Sequence, residues 1–127
     1  MLDINPDVAA AANNLAWNYA EHGGNLDVAL TLAQKAKEAS PDDPRIADTL
    51  GWIYYKKQLY VKAISELKDS AEQLPHDPVV HYQLGMAYFQ NGDQAQAKVA
   101  LQRALKLQGN FDGAEQAKQI LASLSQD

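Results

Sequence analysis

Three observations predict an all-α fold of stacked helical hairpins. The chain repeats itself with a period of about 34 residues, each copy holds two helix-period stretches around a short turn, and one further amphipathic stretch follows the last copy. The pair Leu50-Gly51 recurs as Leu84-Gly85, Tyr54 as Tyr88, Ala63 as Ala97 and Pro41 as Pro75, all at one and the same spacing. Self-similarity at a fixed period of this size marks a repeat architecture. An earlier copy shows in Leu15-Ala16 and Tyr19, which precede Leu50-Gly51 and Tyr54 by one residue more than the period, whereas Ala29 precedes Ala63 by the period itself. The extra residue therefore falls between Tyr19 and Ala29, in the turn His22-Gly23-Gly24-Asn25.

Each element follows from local chemistry. Ala47, Leu50, Gly51 and Tyr54 recur at the i, i+3, i+4, i+7 spacing of one helix face, which makes Pro44 to Lys57 a helix. After a turn, Ala63, Ile64, Leu67 and Ala71 do the same for Tyr60 to Gln73. Leu74-Pro75-His76-Asp77-Pro78 closes the pair, because proline cannot continue a helix but suits the first turn of the next. Asn91-Gly92-Asp93 makes the turn of the third copy, its glycine supplying the positive φ that helix ends require. Small residues at Gly51, Gly85, Ala63 and Ala97 let helix axes approach closely.

The ends differ. Phe111, Ala114, Ala117, Leu121 and Leu124 line one face of a last helix whose other face carries Glu115, Gln116, Lys118 and Gln119. A polar-backed helix of this kind covers the final apolar face of a solenoid. Pro6 precedes Pro41 at the same spacing that separates Tyr19 from Tyr54, so Leu2 and Ile4 read as the tail of a preceding repeat. The N-terminus thus reads as a cut and the C-terminus as a natural end; the other reading is a complete three-repeat protein. The expected organisation is one domain, 1–127, with repeats at about 9–43, 44–77 and 78–111, a capping helix at about 111–124, and 1–8 as a linker or repeat tail.

A helix-turn-helix of this length with Leu-Gly, Tyr, Ala and Pro at these intervals resembles the tetratricopeptide repeat over nearly the whole chain. It departs from that pattern at Ala12, Ala47 and His81, where an aromatic is usual, at Ala16 for glycine, and at Gly109 for the closing proline. The stretches around Asn13-Asn14-Leu15-Ala16-Trp17 and Asp48-Thr49-Leu50-Gly51-Trp52 also resemble bacterial members, some tied to envelope and exopolysaccharide systems. The resemblance implies a right-handed superhelical solenoid of antiparallel helix pairs, seven helices in all, with a concave groove that holds peptide ligands.

At about 100° per residue, Arg45, Asp48, Trp52 and Tyr55 fall on the side of the leading helix away from its packing wedge. The resemblance puts this stripe in the groove. Its counterparts are Asn13, Asn14, Trp17 and Glu21 in the first copy and Tyr82, Gln83, Met86 and Phe89 in the third. Both tryptophans hold one place, two residues after the Leu-Gly-type pair, and Met86 takes it in the third copy. Trp17, Trp52, Tyr55, Met86 and Phe89 are expected as apolar anchors, with Asn13, Asn14, Asp48, Thr49 and Gln83 as polar neighbours for a ligand backbone. The alternative is that both indoles wedge between leading helices and extend the core. Members that capture a chaperone's terminal carboxylate use Lys, Asn and Arg along the groove; Asn13, Trp17, Thr49, Val79 and Gln83 make no such clamp. Arg45 and Lys56 are the only groove cations, and Asp48 is placed one turn from Arg45 to neutralise it.

Other functional classes find little support. Sixteen acidic against eleven basic residues, the latter scattered, argue against a phosphate-tracking nucleic-acid surface. No run of about 18 apolar residues offers membrane insertion. The absence of cysteine excludes disulfides and thiolate chemistry. His22 and His76 fall in turns and His81 in a packing position, and His76 and His81, five apart across Pro78, do not share a helical face, so a metal pair is not expected. Asp42-Asp43 and Asp77 precede helix-starting prolines and read as caps. No phosphate loop or nucleophile set is present, so neither enzymatic activity nor a cofactor is expected. The expected partner is a protein or peptide; a homo-oligomer through the N-terminal edge, or a recruiting arm of a larger enzyme, are the rivals.

Overall fold

The computed structural model describes residues 6–124, and the expected repeat tail at Leu2 and Ile4 lies outside them. Seven helices follow one another: α1 (Pro6–Glu21), α2 (Leu26–Ala39), α3 (Pro44–Lys56), α4 (Tyr60–Gln73), α5 (Pro78–Gln90), α6 (Gln94–Leu107) and α7 (Ala114–Leu124). Consecutive helices pair as three hairpins, α1 with α2, α3 with α4 and α5 with α6, and α7 stands in the place of a fourth leading helix. The leading helices α1, α3, α5 and α7 also touch in sequence, forming the inner row of an all-α repeat solenoid.

The turns inside the hairpins hold four residues in the first and three in the second and third, which places the additional residue of the first copy in 22–25. Gly92 takes φ 88° in the third, and Gln58 adopts φ 66° at the matching place of the second hairpin. Helix α1 opens at Pro6, ahead of the repeat boundary expected near residue 9. Ala9 to Ala12 are strong helix formers and carry the helix upstream through that boundary. Asp43 caps α3 by accepting from Arg45 N at 2.9 Å, and Asp77 caps α5 by accepting from Val79 N at 3.0 Å. Asn25 caps α2 in the same way.

Packing inside each hairpin relies on close approach. The Leu67 side chain lies where a β-carbon on Gly51 would sit, and Leu101 does the same at Gly85. Between the first and second hairpins, Leu50 and Ile53 press into a wall of Ala16, Ala20, Ala29 and Ala33. Between the second and third, Val80 and Leu84 meet Ala63, Leu67 and Ala71. Polar ties add to the apolar contacts: Ser70 Oγ donates to the Pro44 carbonyl at 2.8 Å, and buried His81 holds the Pro75 carbonyl through Nε2 at 2.9 Å. The first joint also carries three ion pairs, Lys56–Glu21 at 3.6 Å, Lys37–Glu66 at 3.4 Å and Lys57–Asp27. Among the described residues no ion pair crosses the second joint.

Candidate peptide-binding cleft

The inner row brings aromatic residues from its leading helices together. Trp52 stacks on Tyr55 with ring centroids 4.4 Å apart and planes 2° from parallel. This is one turn of α3 folded on itself, because residues three apart share a face. Tyr82 from α5 tilts against Trp52 at 6.2 Å, and it also meets Phe111 edge-on at 5.7 Å. Its hydroxyl donates to Gln116 Oε1 on α7 at 2.8 Å. Burial, with Tyr55 and Glu21 nearby, pushes the Tyr82 phenol up to about 12, so it stays a donor.

Beside these rings lies a cleft of about 380 Å³. Trp17, Trp52, Tyr82 and Gln83 line it, together with Glu21, Val79, Asp112, Gly113 and Gln116. Four buried polar atoms of the inner row make no hydrogen bond: Asn13 Oδ1, Asp48 Oδ1, Trp52 Nε1 and Gln83 Oε1. Buried polar atoms are nearly always paired, and leaving one unpaired costs about 1–3 kcal/mol. Burial, reinforced by the Asp77 carboxylate, raises Asp48 from 3.8 to about 7.

The residues expected in the groove divide into four groups. Trp17, Trp52, Tyr82 and Gln83 meet at the cleft, and Asn13 and Asp48 add unpaired oxygens on the same row. Tyr55 is half-buried and backs Trp52. Exposed Asn14 and half-buried Phe89 lie away from the cleft. The other three require correction. Met86 is 2% exposed, because α6 and α7 close over it with Leu101, Ala104 and Ala117. Thr49 is buried and spends its hydroxyl on the Arg45 carbonyl at 3.1 Å. Arg45 pairs with Asp43 at 3.6 Å rather than with Asp48, since the capping carboxylate lies nearer its guanidinium. Trp52 is both wall and core, being 8% exposed yet facing the cleft.

Asp112, Gly113 and Gln116 were missed by reading the stripe alone, although a signal existed. Gly113 follows Val79, and Gln116 follows Tyr82, by one full repeat period, which puts them on the inner row. Among the described residues no helix is long and apolar enough to cross a membrane, and no cluster of three or more His, Asp or Glu could hold a metal ion.

The family model described as tetratricopeptide repeat matches residues 78–111, the third hairpin with its following turn. By this match the chain carries a tetratricopeptide repeat in its third hairpin. It is 34% identical over 77 residues to the TPR repeat-containing protein PA4667 of Pseudomonas aeruginosa, covering 60% of this chain and 13% of that protein. It is 33% identical over 85 residues to the BBSome complex member BBS4 of Mus musculus, covering 67% of this chain and 16% of that one. The matched tetratricopeptide region therefore spans less than a fifth of either relative's length. In fold it is similar to the first TPR of Spaghetti (RPAP3) bound to HSP90 peptide SRMEEVD, with a TM-score of 0.86, 20% identity, and 99% and 97% of the two chains covered.

Proposed function

We propose that this chain is an interaction module that holds a segment of a partner protein in the inner-row cleft and performs no chemistry of its own. The observation that carries this reading is the set of unpaired buried polar atoms around an aromatic cleft. An extended peptide backbone offers what they lack: its N–H groups donate to Asn13 Oδ1 and Gln83 Oε1, and its carbonyls accept from Trp52 Nε1. Trp17 and Trp52 supply flat apolar area at low entropic cost. The Spaghetti domain of the same fold holds a peptide, which supports this use of the fold. That peptide is acidic, and the cleft of this chain has no cationic side chain in its lining, so its ligand differs.

Selection from a displayed random-peptide library tests the reading. Trp17 is half-buried, so Trp17→Ala keeps the fold, whereas Trp52→Ala would open a core cavity. Selected peptides are expected to lose about tenfold or more in affinity for Trp17→Ala. Peptides that bind both proteins equally overturn the cleft as the site.

A second reading, self-association through the N-terminal face, rests on one comparison. Leu15 is 46% exposed, while its counterparts Leu50 and Leu84 are 4% and 7% exposed against the preceding hairpin. Exposed Tyr19 extends the patch. Sedimentation across a concentration series is expected to show association that Leu15→Glu abolishes; a monomer throughout rejects it.

A further inference from the structure

We propose that the segment held in this cleft presents a cationic side chain, arginine before lysine, to Glu21 and Asp112 between the aromatic walls. The inference rests on the cleft being the peptide site and adds the chemistry of its occupant. Two carboxylates line the cleft, Glu21 from the end of α1 and Asp112 from the turn before α7, and no Lys, Arg or His does. Asp112 makes no ion pair among the described residues. Among the same residues Glu21 pairs with Lys56 alone, 3.6 Å away.

A second observation points to a donor-rich ligand. Gln83 is 2% exposed, lines the cleft, and keeps Oε1 unpaired. Glu21, Asp112 and Gln83 Oε1 are all acceptors, so the cleft lacks donors more than it lacks acceptors. Arginine brings five N–H groups in a rigid plane, pairs carboxylates with two bonds at once, and stacks on aromatic faces. Lys56 already shows this corner accepting positive charge: its ammonium sits 5.6 Å from the centroid of Trp52 while pairing with Glu21. A carboxylate guest would instead face the like charge of Asp112, which no cation offsets among the described residues.

The test uses the ¹⁵N-labelled chain and three peptide pools, acetyl-X-X-Z-X-X-amide, with X drawn from uncharged residues. Z is arginine, citrulline or glutamate, so that arginine and citrulline differ in charge and hardly in shape. The readout is the displacement of the Trp17 and Trp52 indole N–H signals on titration. The arginine pool is expected to move both signals at concentrations about tenfold or more below those needed for citrulline, and the glutamate pool to leave them in place. Asp112→Asn, at an exposed position that does not disturb folding, is expected to weaken the arginine pool about tenfold and spare the citrulline pool. A citrulline pool as effective as arginine, or a preference for glutamate, overturns the charge inference and leaves the cleft reading intact. Pools that leave both indole signals unmoved, together with display-selected peptides that ignore Trp17→Ala, overturn both.

Discussion

Asp48 shows how one position is used differently along the inner row. The same place is filled by Asn13 in the first copy, Asp48 in the second, Tyr82 in the third and Gln116 in the last helix. Tyr82 and Gln116 satisfy each other across the α5–α7 joint, while Asn13 and Asp48 each keep an oxygen unpaired. With a folded-state value of about 7 against an ordinary 3.8, Asp48 keeps its proton in the native state over a range where the unfolded chain has released it. The native state then binds more protons, so stability falls as pH rises from about 4 to about 7 and levels off above. Asp48→Asn is expected to flatten that slope and to be more stable than the parent at pH 8, read as urea midpoints of both proteins across pH 4–8. An unchanged slope would mean that the Asp48 carboxyl is not held protonated. The sequence could place Asn13 and Asp48 on one stripe, but it could not reveal that Arg45 turns to Asp43, because backbone capping competes for that carboxylate.

Helix α7 is the element that decides the shape of the cleft. Gly113 opens it with φ 101°, and a β-carbon there would lie 2.4 Å from Tyr82 Cζ. Strain and overlap act together, so Gly113→Ala is expected to cost about 2 kcal/mol or more and to loosen α7 from Tyr82. Chemical denaturation gives the cost, and increased accessibility of Met86 to peroxide reports the loosening. Stability equal to the parent's would show that α7 does not need this turn. The hairpins themselves were legible because Leu50 and Leu84, Tyr54 and Tyr88, and the pairs of prolines recur at one period, and periodicity survives whatever the chain packs against. Burial along the stripe was not legible. Helical angle alone puts Trp17, Trp52 and Met86 in equivalent places, whereas a neighbouring leading helix and its turn shut Met86 in and leave Trp17 half-open.

Across the whole molecule, the core grows heavier toward the C-terminus. The buried hydrophobic residues described in α1 and α2 are alanines, at positions 9, 16, 20, 29, 33 and 36. In α5 and α6 they include Val80, Tyr82, Leu84, Met86 and Leu101. Repeat stacks open from their weaker units, because each unit is held only by its neighbours. Amides of α1 and α2 are therefore expected to exchange with deuterium about tenfold or more faster than those of α5 and α6, measured peptide by peptide in mass spectrometry. Uniform exchange would show that the stack opens as one. The joint next to the alanine-lined hairpin is also the one laced by Lys56–Glu21, Lys37–Glu66 and Lys57–Asp27. Dissolved salt screens such partly solvated charges, while among the described residues the second joint has no ion pair for it to weaken. Ionic strength is thus expected to loosen the first joint before the second, and the separation of the two indoles that flank it, Trp17 and Trp52, is expected to widen as electrolyte is added.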